Sequence, residues 1–293
     1  MDGLNEYLSY HKQSSIAGDI DPQNDCLQYV ANRFELNTEQ RYWLAFLFGT
    51  CYCAPTVYYI YNEFPDYSTV DVNRLKKWWD QNKSRLIFQT DRQRVRSNDQ
   101  FVDSFISYRK IVGKTQENMF SAFKTKDATR TYSNALKVMT DVFSFGRFTM
   151  FIYLEMVSVL TDCKMKPDDL DLKNAESCRN GLALALNRKD LFTHFNDKKL
   201  TPKDYFDLEL GLTLISNEVE KMNINHKSMF AIETTLCAYK KAKLGKRYIG
   251  YYIDRNREEI EKMSKNIPNG VDWSVLWDFR KTAYNAKYLK ELK

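Results

Sequence analysis

The stretch SFGRFTMFIYLEMVSVLTD, Ser144 to Asp162, and the segment AESCRNGLALALNRKD, Ala175 to Asp190, decide how this chain folds. Between Arg147 and Asp162 the one charged residue is Glu155, set among phenylalanine, methionine, isoleucine, leucine and valine. Such a run predicts a helix buried around most of its circumference, with one carboxylate turned inward. A buried carboxylate is costly unless it is paired, hydrogen-bonded or protonated, which makes Glu155 a candidate functional group. In the second segment Ser177 is placed to cap a helix starting near Cys178. Arg179, Asn180 and the Gly181 amide then fall in a first turn, whose free N–H groups and dipole favour an anion. Together they outline a site. The plainer reading is a core ion pair: Glu155 tied to Arg179 between two helices looks the same from sequence.

Working outward, the same helical period recurs along the chain. Residues 1–21 have no clear period and read as an arm or a short helix, and Pro22 opens the next helix. Asn37 and Gln40 form a capping-box pattern ahead of an apolar helix that Pro55 ends or kinks. Val70 to Leu86, Asn98 to Val112, Gln116 to Phe123 and Ala128 to Phe143 read as helices, with Gly113 and Gly146 as breaks. Pro202 to Met222, Met229 to Leu244, Ile249 to Asn266 and Trp273 to Leu292 follow. No strand alternation, hairpin dipeptide or Gly-rich phosphate loop occurs, so the expectation is an all-α protein of roughly ten to twelve helices around one compact core. Residues 22–293 read as a single domain; a division near residue 125 is compatible with the pattern but has no support in composition.

Composition narrows the chemistry. The 293 residues carry a net charge of +6 and 43% hydrophobic content, which suits a real core and a polyanionic partner without proving one. The start MDGLNEYLSYHKQ is polar and no apolar run is long enough to span a bilayer, so a soluble intracellular protein is expected. Six scattered cysteines without a Cys-x-x-Cys pair argue against a zinc site or a disulfide framework. With three histidines, all in the arm or in connections, histidine-centred catalysis is not expected, and neither is a metal site.

What remains are carboxylates, tyrosines and basic residues. Tyr59 and Asn62, in a tyrosine-rich helix, are either core or a base-contacting cluster. DVNRLKKWWDQNKSRL interleaves cations with Trp78 and Trp79, either a nucleic-acid surface or an amphipathic helix with a core indole. Arg92, Arg94 and Arg96 alternate and point one way if extended, towards phosphates or a surface ladder. Glu233 repeats the isolated-carboxylate pattern, and Thr234 to Ile253 holds Lys240, Lys241, Lys243, Lys246 and Arg247 with no acid. That stretch is the strongest phosphate-binding candidate of the carboxy-terminal half, or an ordinary solvated helix end. These residues leave two classes standing: an enzyme acting on a phosphorylated or nucleic-acid substrate, and a helical nucleic-acid-binding protein.

Four segments in order, YWLAFLFGTCYCAPTVYYIYNEFP, SFGRFTMFIYLEM, AESCRNGLALALNRKDL and ETTLCAYKKAKLGKRYIGYYIDR, resemble the phage amino acid:DNA transferases, also described as glutamyl/putrescinyl-thymine pyrophosphorylases. The similarity runs from about Asn37 to Arg255. It implies a helical, DNA-glycosylase-like fold and work in the cytoplasm of an infected bacterium. The implied reaction displaces pyrophosphate from 5-(pyrophosphoryloxymethyl)uracil in double-stranded DNA by an amino acid such as glycine or a polyamine. Under it Arg147, Arg179 and Asn180 are expected at the pyrophosphate, with Lys240 and Arg247 in reserve and Arg92 and Arg94 on DNA. Glu155 or Glu233 would hold or deprotonate the amine, and Tyr59 and Asn62 would meet the base. No cofactor is implied; the resemblance leaves open any divalent metal, the amine and the oligomeric state. The alternatives are a glycosylase- or lyase-like base-processing enzyme and a non-catalytic phage DNA-binding protein.

Overall fold

The capping signals do what their chemistry requires. Asn37 Oδ1 accepts from the Gln40 amide at 3.0 Å while Gln40 Oε1 accepts from the Asn37 amide at 3.1 Å, so the first helix of the apolar core starts where its free N–H groups find partners. The structure, a computed structural model, describes residues 2–89, 100–193 and 199–288. Among them it is all-helical, without a strand. The helices are α1 (Asp2–Ala17), α2 (Pro22–Arg33), α3 (Thr38–Cys51), α4 (Ala54–Glu63), α5 (Val72–Asn82), α6 (Gln100–Val112) and α7 (Gln116–Phe123). Then come α8 (Ala128–Met139), α9 (Arg147–Leu160), α10 (Glu176–Ala185), α11 (Pro202–Glu220), α12 (Met229–Lys243), α13 (Tyr251–Asn266) and α14 (Ser274–Ala283). Pro55 lies in the first turn of α4, after Tyr52 has ended α3 in the left-handed region at φ +50°.

The described residues gather into two units. Met1–Pro22, Pro167–Arg255 and Tyr284–Lys293 supply one, and Gln23–Lys166 with Asn256–Ala283 the other. Each unit is assembled from separated pieces of chain, so no shift of composition at one position announces it.

In the second unit α3 and α9 cross at close quarters. A Cβ on Gly49 would lie 2.7 Å from the Tyr153 Cβ, so only glycine lets the helices approach this far. Phe46, Phe105, Tyr108, Phe145 and Tyr153 fill the surrounding core, each large apolar side chain contributing roughly 1.5–3 kcal/mol on burial. Tyr153 donates to the Tyr108 hydroxyl at 2.9 Å, which donates to Gln116 Oε1 at 2.8 Å. The two tryptophans of α5 are both core, and Trp79 stacks on Phe101 with centroids 4.4 Å apart. The cations around them therefore belong to a solvated helix face, not to an aromatic platform.

In the first unit α10 lies against α12 with Gly181 facing the Leu236 carbonyl. Residues 1–21, read as an arm or a short helix, contain α1, whose Tyr7 and His11 are fully buried. His11 Nε2 lies 2.8 Å from the His226 carbonyl and Nδ1 lies 2.7 Å from Thr235 Oγ1. A carbonyl only accepts, so Nε2 carries a proton, while the Thr235 hydroxyl beside Nδ1 also lies 2.8 Å from the Ala231 carbonyl, to which it donates. Burial pushes the His11 pKa down to about 4. Below pH 6.5 the unfolded chain therefore takes up a proton that the folded chain refuses until about pH 4, and stability falls across that window by up to ~3 kcal/mol. Asp19, raised by burial to about 6, works in the opposite direction, because its folded form holds a proton that the unfolded form has lost. Subtracting the stability–pH curve of His11→Asn from that of the native chain isolates the histidine. A difference that is flat between pH 4 and 6.5 would refute a neutral His11.

Candidate functional site

Along one face of α12 the sequence sets Glu233, Cys237 and Lys240 at i, i+4 and i+7. The Cys237 thiol donates to Glu233 Oε1 at 3.5 Å, and its pKa is pushed far up by burial first and then by that carboxylate. It is a neutral donor. One turn further Lys240 Nζ donates to Ser177 Oγ at 2.8 Å. Ser177 was expected to cap α10, but Ala175 occupies the cap position without a side-chain bond, and Ser177 lies in the first turn. Its hydroxyl is thereby free to meet the lysine. The Lys240 pKa is lowered, by burial first, with Lys241 and Arg247 adding to the effect and Cys237 and Glu176 opposing it.

Arg247 completes this neighbourhood. Its guanidinium lies 4.5 Å from the Tyr252 ring centroid and 4.9 Å from that of Tyr251, and it donates to the Tyr252 hydroxyl. The turn is fixed by Asp19, which accepts from the amides of Gly250, Tyr252 and Ile253 at 2.8, 2.9 and 3.1 Å and so caps α13. Tyr10, raised to about 12 by burial and then by Asp19, feels Arg247 as the opposing charge. Lys240 and Arg247 are thus half-buried cations that end on hydroxyls and form no salt bridge among the described residues. Lys243, by contrast, is exposed and paired with Glu6 at 2.9 Å.

Arg179 and Asn180 are in the same unit but differently engaged. Arg179 Nη1 donates to the carbonyls of Leu172 and Lys173 at 2.8 and 2.9 Å, and Nη2 to Thr193 Oγ1 at 3.3 Å. Asn180 Oδ1 accepts from the amide of Thr193 at 3.0 Å. Both are buried and hold the connections on either side of α10, a tie between loops that the helix-start reading did not foresee. Arg188, expected in a surface pair, meets Asp190 at 2.9 Å.

The other candidates fall in the second unit. Arg147 is the first residue of α9 and Glu155 lies eight residues on, about 12 Å along the axis, so the helix does not bring them together. The Tyr59 hydroxyl donates to Asn82 Oδ1 at 2.9 Å, whereas Asn62 is exposed and bonds back to the Tyr58 carbonyl at 2.7 Å. Arg92 and Arg94, with Arg96, lie outside the described residues. A cavity of about 390 Å³ opens at the turn from α8 to α9, lined by Gln100, Thr140 and the run Val142 to Gly146. Gly146 signals that turn in the sequence but not the depression beside it, and nothing in the sequence singles out Asp25 on α2. Burial raises the Asp25 carboxyl to about 6, yet PQNDCLQYV carries no sign of it beyond an ordinary helix start. Among the described residues no cluster of histidine, cysteine or carboxylates is placed to hold a metal, and no helix is long and apolar enough to cross a membrane.

Half-buried cations left on hydroxyls are the kind of group that an anionic ligand would neutralise. This chain belongs to the amino acid:DNA transferase family, whose profile matches residues 16–248, a span containing both the cation pair and the cavity. It is also similar, at 29% identity over 264 residues, to a serinyltransferase of Salmonella phage ViI, an alignment covering 83% of this chain and 63% of that protein. The chain thus spans less than two thirds of the length of that relative.

Proposed function

We propose that the protein joins an amine to the methylene carbon of 5-(pyrophosphoryloxymethyl)uracil in double-stranded DNA, releasing pyrophosphate and leaving a hypermodified thymine. The amine is an amino acid, with glycine and serine the first to test, or a polyamine. The observation that carries this reading is the Lys240 and Arg247 pair, half-buried and unneutralised among the described residues. Such cations gain most from a ligand dense in negative charge. In the reaction the neutral amine nitrogen forms its bond to the methylene carbon as the C–O bond breaks, with that electron pair leaving on pyrophosphate. The charge that must be stabilised develops on the departing oxygen, which is the role given to Lys240 and Arg247, with Ser177 as a hydroxyl donor. The new nitrogen sheds a proton, and Glu233, on the same face of α12 as Lys240, is the carboxylate assigned to accept it. Membership of the family and the resemblance to a phage serinyltransferase support the same chemistry, in the cytoplasm of an infected bacterium.

The test is direct. Duplex DNA carrying the pyrophosphorylated base is incubated with the protein and a pool of amino acids and polyamines, then digested to nucleosides for mass spectrometry. A new nucleoside adduct with stoichiometric pyrophosphate is expected, and its mass names the amine. Tight binding to unmodified DNA with no adduct would instead favour a non-catalytic DNA-binding protein.

A further inference from the structure

Resting on that reading, we propose that the target pyrimidine leaves the duplex stack and lies against the exposed ring of Tyr248, beside Arg247. Of the exposed aromatic side chains among the described residues, Phe34 and Phe143 belong to the other unit, and Phe206 shares an apolar stripe of α11 with Leu210 and Leu214. Tyr248 is in the unit that carries Lys240, Arg247 and Glu233, and it follows Arg247 directly in the chain. Its side chain is 46% exposed yet fixed in place. The hydroxyl donates to Asp254 Oδ2, and Tyr251 meets the ring edge-to-face with centroids 5.9 Å apart. The backbone is held as well: the Tyr248 carbonyl accepts from the Tyr251 amide at 3.1 Å, in the turn whose amides Asp19 binds. Gly250 makes that turn at φ +103°, a conformation that favours glycine, and a Cβ there would lie 4.0 Å from Tyr248 Cε2. An exposed ring whose rotamer is already set loses little freedom when a π-face lands on it.

The bonding of the substrate links this ring to its neighbour. In the pyrophosphorylated base the diphosphate is joined to the ring through one methylene and one oxygen, so the seat of the ring must adjoin the cation that receives the phosphates. The Arg247 guanidinium lies 4.9 Å from the centroid of Tyr251, the same ring that Tyr248 touches. A base inside a duplex keeps both faces against its neighbours, so lying on Tyr248 requires extrusion, the arrangement used where chemistry is done on a base. Stacking accepts any flat ring, and the charge held at Arg247 then distinguishes the modified base from its neighbours. Tyr248 is thus a positioning residue that acts before bond formation.

The experiment uses the full chain, no amine, and a duplex in which 2-aminopurine is stacked next to the pyrophosphorylated uracil. Anisotropy reports binding and 2-aminopurine fluorescence reports loss of the neighbour. Binding by the native protein should raise fluorescence several-fold. Tyr248→Leu should bind within about tenfold of native through backbone phosphates yet lose most of the rise. Tyr248→Phe gives up the bond to Asp254 but keeps the ring face, and should retain the rise. A bound native complex with unchanged fluorescence, or a full rise with Tyr248→Leu, overturns the proposal while leaving the transferase reading intact. So does a Tyr248→Phe protein as defective as Tyr248→Leu, which would mean that the tie to Asp254 matters and the ring face does not. Failure of the native protein to bind the modified duplex at all overturns the transferase reading, and this inference with it.

Discussion

Lys240→Met is expected to slow amine transfer by ~10²–10³-fold, the usual loss when one donor to a developing oxyanion is removed. The melting temperature should barely move. The lysine contributes a hydrogen bond to Ser177 and no salt bridge among the described residues, so its removal strands no buried carboxylate. It also relieves the folded chain of a half-buried charge beside Lys241 and Arg247. A residue that is neutral or slightly unfavourable for stability, yet needed for activity, is the pattern of a functional charge. Lys240→Arg separates two roles for it. If the group neutralises pyrophosphate, a guanidinium serves nearly as well and activity should return to within about tenfold. If Lys240 were instead a covalent nucleophile, as in a lyase, arginine would be as inactive as methionine. A Lys240→Met protein with native rates would dismiss the cation pair as the pyrophosphate site.

The parts of the molecule legible in the sequence were those governed by local chemistry. The Asn37–Gln40 box, the glycine breaks at Gly113 and Gly146 and the proline at Pro55 each fix a boundary through backbone groups a few residues away. The all-helical class followed from the same periodicity. Partnership was not legible, because it depends on which distant segment arrives. Arg179 and Lys240 are both basic residues near a helix end in the sequence. In the fold the first meets three carbonyl and hydroxyl oxygens of neighbouring loops, whereas the second meets one serine. Ser177 shows the same limit: its spacing suits a cap, but α10 starts two residues earlier than that reading needs, and its hydroxyl turns to Lys240 instead. Gly146 marks the α8–α9 turn in the sequence, but the surroundings of that turn were not legible, for another reason. Thr140 to Gly146 holds no charged cluster or motif, and its exposed Phe143 and unpartnered Gln100 oxygen emerge from tertiary placement alone.

The largest stability effect is expected from one methyl group. In Gly181→Ala the added Cβ would lie 2.0 Å from the Leu236 carbonyl oxygen and 2.6 Å from its carbon. Both are backbone atoms inside α12, so relief requires the two helices to separate rather than a side chain to rotate. Overpacking ordinarily costs ~1–3 kcal/mol, and a clash against rigid backbone belongs at or above the top of that range. The ~1 kcal/mol that alanine gains over glycine in a helix offsets only part of it. Gly211→Ala in α11 is the control. Its Cβ would come as close, 2.2 Å, but to the Cδ1 of Leu186, the far end of a flexible side chain. A rotamer change there removes the overlap, so the helix-propensity gain should leave the net change within about 1 kcal/mol of zero. Gly49→Ala, 2.7 Å from the Tyr153 Cβ, should fall between them. Urea midpoints of the three variants should therefore follow the order Gly181→Ala lowest, Gly49→Ala next, Gly211→Ala highest. Equal midpoints for the first and last would mean that distance alone, not what must yield, decides the cost, and that α10 and α12 are not locked at Gly181.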